Sequence, residues 1–197
     1  AYKHLAEEGV PAWTSVEVVQ VTGGGYTFHK HLEDANAVGK KLNQQLMAAP
    51  GSFDIIVLQE QSQTPGFYGA QNPYWTQSLE AAIVLDSLIA GAGAQTLFFE
   101  TWGRRDGDPQ NETLYPDFLS MQTLLSEGYG IYAKETASVD RTTYIAPVGA
   151  AFAHIHTALT AQNITPTDPG TLFTALYSND GSHPSVKGSY LAALIFY

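Results

Sequence analysis

Apolar positions along this chain follow two alternating rhythms. Short runs rich in β-branched residues give way to longer stretches in which apolar residues recur every three or four positions, and that alternation predicts an α/β fold. Val16, Val18, Val19 and Val21 predict a strand before the glycines at 23 to 25. Val38, Leu42 and Leu46 then predict a helix that stops at Pro50 and Gly51. FDIIVL, residues 53 to 58, is an unbroken apolar run, the pattern of a parallel strand covered on both faces. A loop rich in Gly, Pro, Asn and Gln runs from Gln61 to Pro73, and Leu85, Leu88 and Ile89 mark a helix ending near Gly91. QTLFFE, residues 95 to 100, reads as a strand. The polar loop GRRDGDPQNET leads to a helix with Leu114, Phe118, Met121 and Leu125 on one face. Residues 144 to 146 predict the last strand, and Pro147 suits the first position of a helix using Val148, Phe152, Ile155 and Leu159. The loop SNDGSHPS and an apolar helix from Lys187 close the chain.

In open α/β sheets, ligands bind outside the carboxyl ends of the strands. The glycine turn after Val21 and the loops after Leu58 and Glu100 all leave such ends, so three loops are expected at one edge. Loops this long in a compact domain are more often functional than idle.

With 197 residues, 44% of them hydrophobic, the chain can bury one substantial core, and a single domain over 1–197 is expected. Nine Lys and Arg against nineteen Asp and Glu give a formal charge of −10, which repels nucleic-acid backbones and anionic membranes and favours a neutral substrate. The absence of cysteine excludes disulfides, a thiolate nucleophile and a sulfur-ligated zinc. No apolar stretch approaches the roughly 20 residues that span a bilayer. The first residues lack the layout of a secretory signal. A soluble protein, or the mature form of one acting outside the cytoplasm or in a periplasm, is the expectation.

The sharpest local chemistry is Asp180-Gly-Ser-His183-Pro-Ser, on the loop before the last helix. A carboxylate three residues before a histidine in a turn can hold one ring nitrogen while the other faces a cleft, which is how a general base is oriented. The same four residues also make an ordinary turn. Glu60 and Glu100 suggest either a pair of glycosidase carboxylates or strand-end residues that cap loops, and the second suits α/β proteins of any function. Trp102 reads as a cleft wall or a core aromatic. The pairs His29 with His31 and His154 with His156 do not predict a metal site, because helical residues two apart do not share a face.

Several blocks together resemble the SGNH (GDSL-like) hydrolase superfamily: the glycine turn, FDIIVLQEQSQ, TLFFETWGRRDGDP and DGSHPSVKGSYLAALIFY. They are most similar to a bacterial branch whose third block reads Leu-Gln-x-x-Ser. The resemblance implies a flavodoxin-like three-layer α/β/α fold with a mostly parallel sheet, hydrolysis of a short-chain ester, acetyl on a carbohydrate among them, and no cofactor. It implies His183 as base and Asp180 as its orienting acid, with Gly25 giving a backbone N–H to the oxyanion hole. Glutamine stands where the family's usual third block has asparagine, so Gln61 or Gln59 takes the amide role, since either carboxamide can donate. The related sequences set His31 near Gly25, and Glu60, Trp102 and His31 are expected around the substrate cleft.

The family's first block, an apolar strand running into a nucleophilic serine, has no match here. Ser62 and Ser182 do not lie on a strand-to-helix turn of the nucleophile kind. AYKHLAEEGVPAW looks like the tail of the helix that follows that block, and LAALIFY ends in an apolar run, so a domain cut at both ends is expected. The first strand would then come from a separate peptide or from chain outside these residues, flanked by the segments 16 to 21 and 54 to 58. A non-catalytic binding or assembly protein on the same fold is the alternative.

Overall fold

The computed structural model describes residues 16–68 and 72–197; the segment AYKHLAEEGVPAW lies outside the described residues. Three strands, β1 (Ile55–Leu58), β2 (Gln95–Phe99) and β3 (Tyr144–Ala146), form one sheet in the order β1-β2-β3. Both ladders are parallel, with Ile55 opposite Gln95 and Leu97 opposite Tyr144. Helices α1 (Phe28–Asn36) and α2 (Lys41–Leu46) precede β1, while α3 (Pro73–Gly91) and α4 (Phe118–Thr136) make the two crossovers. After β3 come α5 (Val148–Ala161), α6 (Leu172–Ala175) and α7 (Val186–Phe196). Parallel strands joined by helical crossovers give the flavodoxin-like three-layer α/β/α class.

Local chemistry explains the helix boundaries. Asn72 caps α3 by accepting from the Tyr74 N–H at 2.9 Å, and Pro73 fills the first turn, where a missing N–H costs nothing. The helix ends before Gly93, whose φ of +81° is a left-handed stop that residues with a side chain adopt at a penalty. Ser185 caps α7 through the N–H groups of Lys187 and Gly188.

The residues group into two compact units. In the first, 21–101 with 123–146, the sheet packs on a core of Phe28, Leu58, Leu85, Ile89, Phe98, Tyr129 and Tyr132. Each such side chain contributes about 1.5–3 kcal/mol by leaving water. Phe28 meets Tyr132 edge-on at 5.3 Å between centroids, as Tyr129 does at 5.7 Å, while Phe98 stacks on Tyr132 at 5.7 Å. The second unit, 102–122 with 147–197 and 16–20, centres on Phe118, Phe152, Phe173 and Tyr177.

Three sequence expectations are corrected. Residues 16 to 21 join no strand ladder among the described residues, and Val18 is exposed, since β-branched residues alone do not make a strand without a paired backbone. The helix expected over Val38, Leu42 and Leu46 is the short α2, and α1, which the pattern did not predict, precedes Val38. The chain breaks between α1 and α2 at Gly39, φ +90°, and leaves Val38 exposed, while Thr27 caps α1 by accepting from the Lys30 N–H at 3.2 Å. Finally, β1 was expected to be covered on both faces. Its alternate residues Ile55 and Val57 are 46% and 45% exposed, so the described residues cover one face of the strand and leave the other open.

Candidate active site

The segment between α6 and α7 is a tight turn stitched by its own backbone. The Ser178 N–H donates to the His183 carbonyl at 2.8 Å, the Gly181 N–H to Ser178 at 3.1 Å and the Ser185 N–H to Leu176 at 2.8 Å. Gly181 has φ +68°, and a Cβ there would lie 3.2 Å from the Arg105 guanidinium and 3.3 Å from the Asp106 carboxylate. Backbone conformation and crowding both call for glycine.

Within this turn the Asp180 carboxylate gathers four hydrogen bonds. Oδ2 faces His183 Nδ1 at 2.6 Å, and Oδ1 accepts from the Ser178 hydroxyl at 2.8 Å and from the N–H groups of Ser182 and His183, each at 2.9 Å. The bond to His183, reinforced by those other donors, holds Asp180 well below the usual carboxylate range, so it stays an anion. A carboxylate accepts only, so Nδ1 carries the proton and Nε2 presents a lone pair. The imidazole is 79% exposed in its side chain, open to an incoming reactant.

A cavity of about 410 Å³ adjoins the turn. Arg105 and Asp106, the residues against Gly181, are part of its wall, with Asp117, Phe118, Ser120 and His156 among the others. Arg105 donates to Asp106 from Nε at 2.9 Å and Nη2 at 2.6 Å, and Asp117 accepts from the Ser120 N–H at 2.8 Å and its hydroxyl at 3.1 Å. Arg105 and Asp106 thus pair their charges, while Ser120 hydrogen-bonds the Asp117 carboxylate without neutralising it. Phe118 and the His156 ring stack at 5.3 Å, and burial pushes the His156 pKa down, which keeps that ring neutral.

Trp102 lies in the same unit and does two things at once. Its ring stacks on Phe152 at 5.0 Å and 11°, and its indole N–H donates to the Ser182 carbonyl at 3.0 Å. The cleft-wall and core readings of Trp102 both missed this polar contact; an indole N–H needs an acceptor when half-buried, and that requirement was the available signal.

In the sheet-bearing unit, Gly25 has φ +65° in the turn before Thr27 and open space where a Cβ would stand. His31 packs on Tyr26 at 4.9 Å, and burial lowers its pKa while Asp34 opposes the shift. Gln59 is exposed just past β1. Gln61 is built into the loop: its Oε1 accepts from the Gln63 N–H at 2.9 Å and the Thr64 hydroxyl at 3.2 Å, and its Nε2 donates to Gln63 Oε1 at 2.9 Å.

Glu60 corrects an expectation. It is 1% exposed, so its carboxylate is enclosed in the interior and not presented to a cleft surface. Its carboxylate accepts from the Phe28 N–H at 3.0 Å, the Gln61 N–H at 2.6 Å and the Ser78 hydroxyl. Burial raises its pKa, and those three donors oppose the rise. Glu100 is also buried, and accepts from the Ser126 hydroxyl at 2.7 Å. Neither residue offers the open carboxylate that a glycosidase pair requires. No cluster of His, Asp and Glu that could hold a metal ion occurs among the described residues. His29 instead lies 3.6 Å from Glu33.

Two solved structures are similar to this chain. One is a candidate SGNH hydrolase from Slackia heliotrinireducens, with a TM-score of 0.62 and 25% identity over 87% of this chain and 78% of the other. The other is a candidate GDSL-like lipase from Parabacteroides merdae, with a TM-score of 0.50 and 15% identity over 87% of this chain and 67% of the other; at that identity it supports the fold alone. No family model and no curated protein sequence matches the chain.

Proposed function

We propose that this chain, a member of the SGNH/GDSL-like hydrolase superfamily, carries the base and oxyanion arms of a serine esterase that removes a short acyl group, such as acetyl, from a polar alcohol of the carbohydrate kind. The observation that carries the proposal is the His183 Nδ1 to Asp180 Oδ2 contact at 2.6 Å, with the remaining ring nitrogen on an exposed imidazole. That is a tautomer-locked base, the geometry acyl transfer requires.

The nucleophilic serine of this proposal belongs to the family's first block, outside these 197 residues, on a separate peptide or on contiguous chain. Its Oγ attacks the ester carbonyl as His183 Nε2 takes the hydroxyl proton, and Asp180 stabilises the imidazolium. The tetrahedral oxyanion accepts hydrogen bonds from the Gly25 N–H and from a glutamine amide. We assign that amide to Gln59, because it is exposed at the carboxyl end of β1 while the Gln61 carboxamide is already engaged with Gln63 and Thr64. Collapse of the intermediate returns the proton from His183 to the leaving alcohol. Water then releases the acyl group by the same steps. The cavity beside Gly181, whose arginine is already paired with Asp106 and whose wall includes Phe118, supports a neutral polar substrate.

The test is hydrolysis of p-nitrophenyl acetate and of an acetylated sugar by the full-length protein, with its intact mass measured alongside. His183→Ala should lower kcat by about four orders of magnitude or more, since triad members act as a unit. Equal turnover by wild type and variant refutes the esterase. The alternative, a binding protein on this fold, draws on the lack of a described serine on a strand-to-helix turn, and is favoured if the full-length protein also lacks one.

A further inference from the structure

We propose that Trp102 is a positioning residue for His183, acting through the Ser182 carbonyl. The peptide unit between Ser182 and His183 is held at both ends: its C=O accepts from Trp102 Nε1 at 3.0 Å, and its N–H donates to Asp180 Oδ1 at 2.9 Å. The preceding peptide unit is held in the same way. The Gly181 C=O accepts from the Arg105 N–H at 2.8 Å, and the Ser182 N–H donates to Asp180 Oδ1 at 2.9 Å.

Peptide units are planar, so gripping both ends of two in succession fixes φ and ψ of Ser182, and with them the plane from which the His183 Cα departs. The segment 102–105 grips them from outside the turn, and Asp180 grips them from within. A third bond, from the Tyr177 hydroxyl to the Gly103 carbonyl at 2.7 Å, ties the start of the turn to the same segment. The outer grip matters because the His183 side chain is 79% exposed, which leaves little packing to orient it. Trp102 is suited to this task, since its ring is fixed flat against Phe152, which is fully buried. The inference rests on His183 being the base of the proposed esterase, but its central measurement does not depend on turnover.

That measurement is the tautomer of His183, read from ring ¹⁵N chemical shifts of the full-length protein. Trp102→Phe keeps a stacking ring and removes the N–H. Phe152→Leu removes the stacking partner and keeps the N–H. Wild type should hold the proton on Nδ1. Trp102→Phe should shift the population toward the Nε2–H form, in the direction of Asp180→Asn, with an otherwise native amide spectrum, and kcat should fall about 10- to 100-fold with KM little changed. Phe152→Leu should keep the Nδ1–H form. A wild-type tautomer in Trp102→Phe overturns the proposal, as does loss of the Nδ1–H form in both variants to the same degree, which would show packing alone at work. If the wild type hydrolyses no ester, the esterase reading fails, and the tautomer still decides the role of Trp102.

Discussion

The Glu60 carboxylate accepts the backbone N–H of Phe28 at 3.0 Å, joining the loop after β1 to the first residue of α1. Its other oxygen accepts the N–H of Gln61 at 2.6 Å. One buried side chain therefore fixes the glycine turn that contains Gly25 and the loop that follows Gln59, the two arms assigned to the oxyanion. Glu60→Ala would leave the Phe28 and Gln61 N–H groups and the Ser78 hydroxyl without their acceptor. The Ser78 hydroxyl keeps the Tyr132 hydroxyl as a partner at 2.6 Å; at about 1–3 kcal/mol for each of the two N–H groups left unsatisfied, a loss of at least about 2 kcal/mol is expected in urea unfolding. A loss under about 1 kcal/mol would show that these donors find other acceptors.

The same carboxylate gives a pH signature. Its folded pKa is raised, by burial above all, so between the ordinary glutamate range and that raised value the folded state binds more protons than the unfolded one. Glu60's contribution to stability is then fully present below the unfolded pKa and is lost as pH rises through the folded one. Glu60→Gln cannot ionise. The difference in melting temperature, wild type minus variant, should fall as pH rises from about 4 toward 7. A difference that rises over this window contradicts the direction of the shift.

Asp180 has the opposite sign. Its folded pKa is depressed, so its contribution is present above the ordinary aspartate pKa and is lost as pH falls through the folded value. Its carboxyl ¹³C signal should show an anion throughout the normal carboxylate range, and titration at the ordinary value would contradict the hydrogen bonding described. In the full-length protein Asp180→Asn should lower kcat by about 10⁴-fold, the size seen where the corresponding acid of a serine triad is replaced.

Gly25 and Gly181 are both left-handed, at φ +65° and +68°, yet only Gly181 is crowded. Alanine at either position meets backbone strain of about 1–2 kcal/mol. At Gly181 it must also displace Arg105 or Asp106. Gly181→Ala should therefore destabilise more than Gly25→Ala in parallel denaturation curves, and should disturb the His183 tautomer, which Gly25→Ala should leave intact.

What could be read from the sequence follows the range of the interactions. β3 and the end of α3 were legible because Pro147 and the glycines after Ile89 act locally. The Asp180–His183 pair was legible because both partners lie in one turn. The strand expected at 16 to 21 was not, since pairing depends on a distant backbone. α6 escaped notice because four residues carry no helical period. The burial of Glu60 depends on Phe28 and Ser78, which lie 32 and 18 residues away, and nothing in its immediate surroundings signals it.

Gln59 and Gln61 differ in what their amides are bonded to. Alternation along β1 places Gln59 in the series of Ile55 and Val57, on the exposed face, whereas Leu58 and Glu60 point into the core. An amide there is free of the loop's internal bonding. In Gln61 the carbonyl oxygen is fixed by Gln63 and Thr64, and one amide hydrogen is given to Gln63. Gln59→Ala should thus remove a donor used only when the oxyanion forms, lowering kcat of the full-length protein about 10²- to 10³-fold with KM and melting temperature nearly unchanged. Gln61→Ala should act through the loop, lowering the melting temperature and raising KM as the buried turn at Thr64 and Pro65 loosens. If instead Gln61→Ala lowers kcat alone and Gln59→Ala is silent, the amide of the oxyanion hole belongs to Gln61, and its bond to Gln63 must break during turnover.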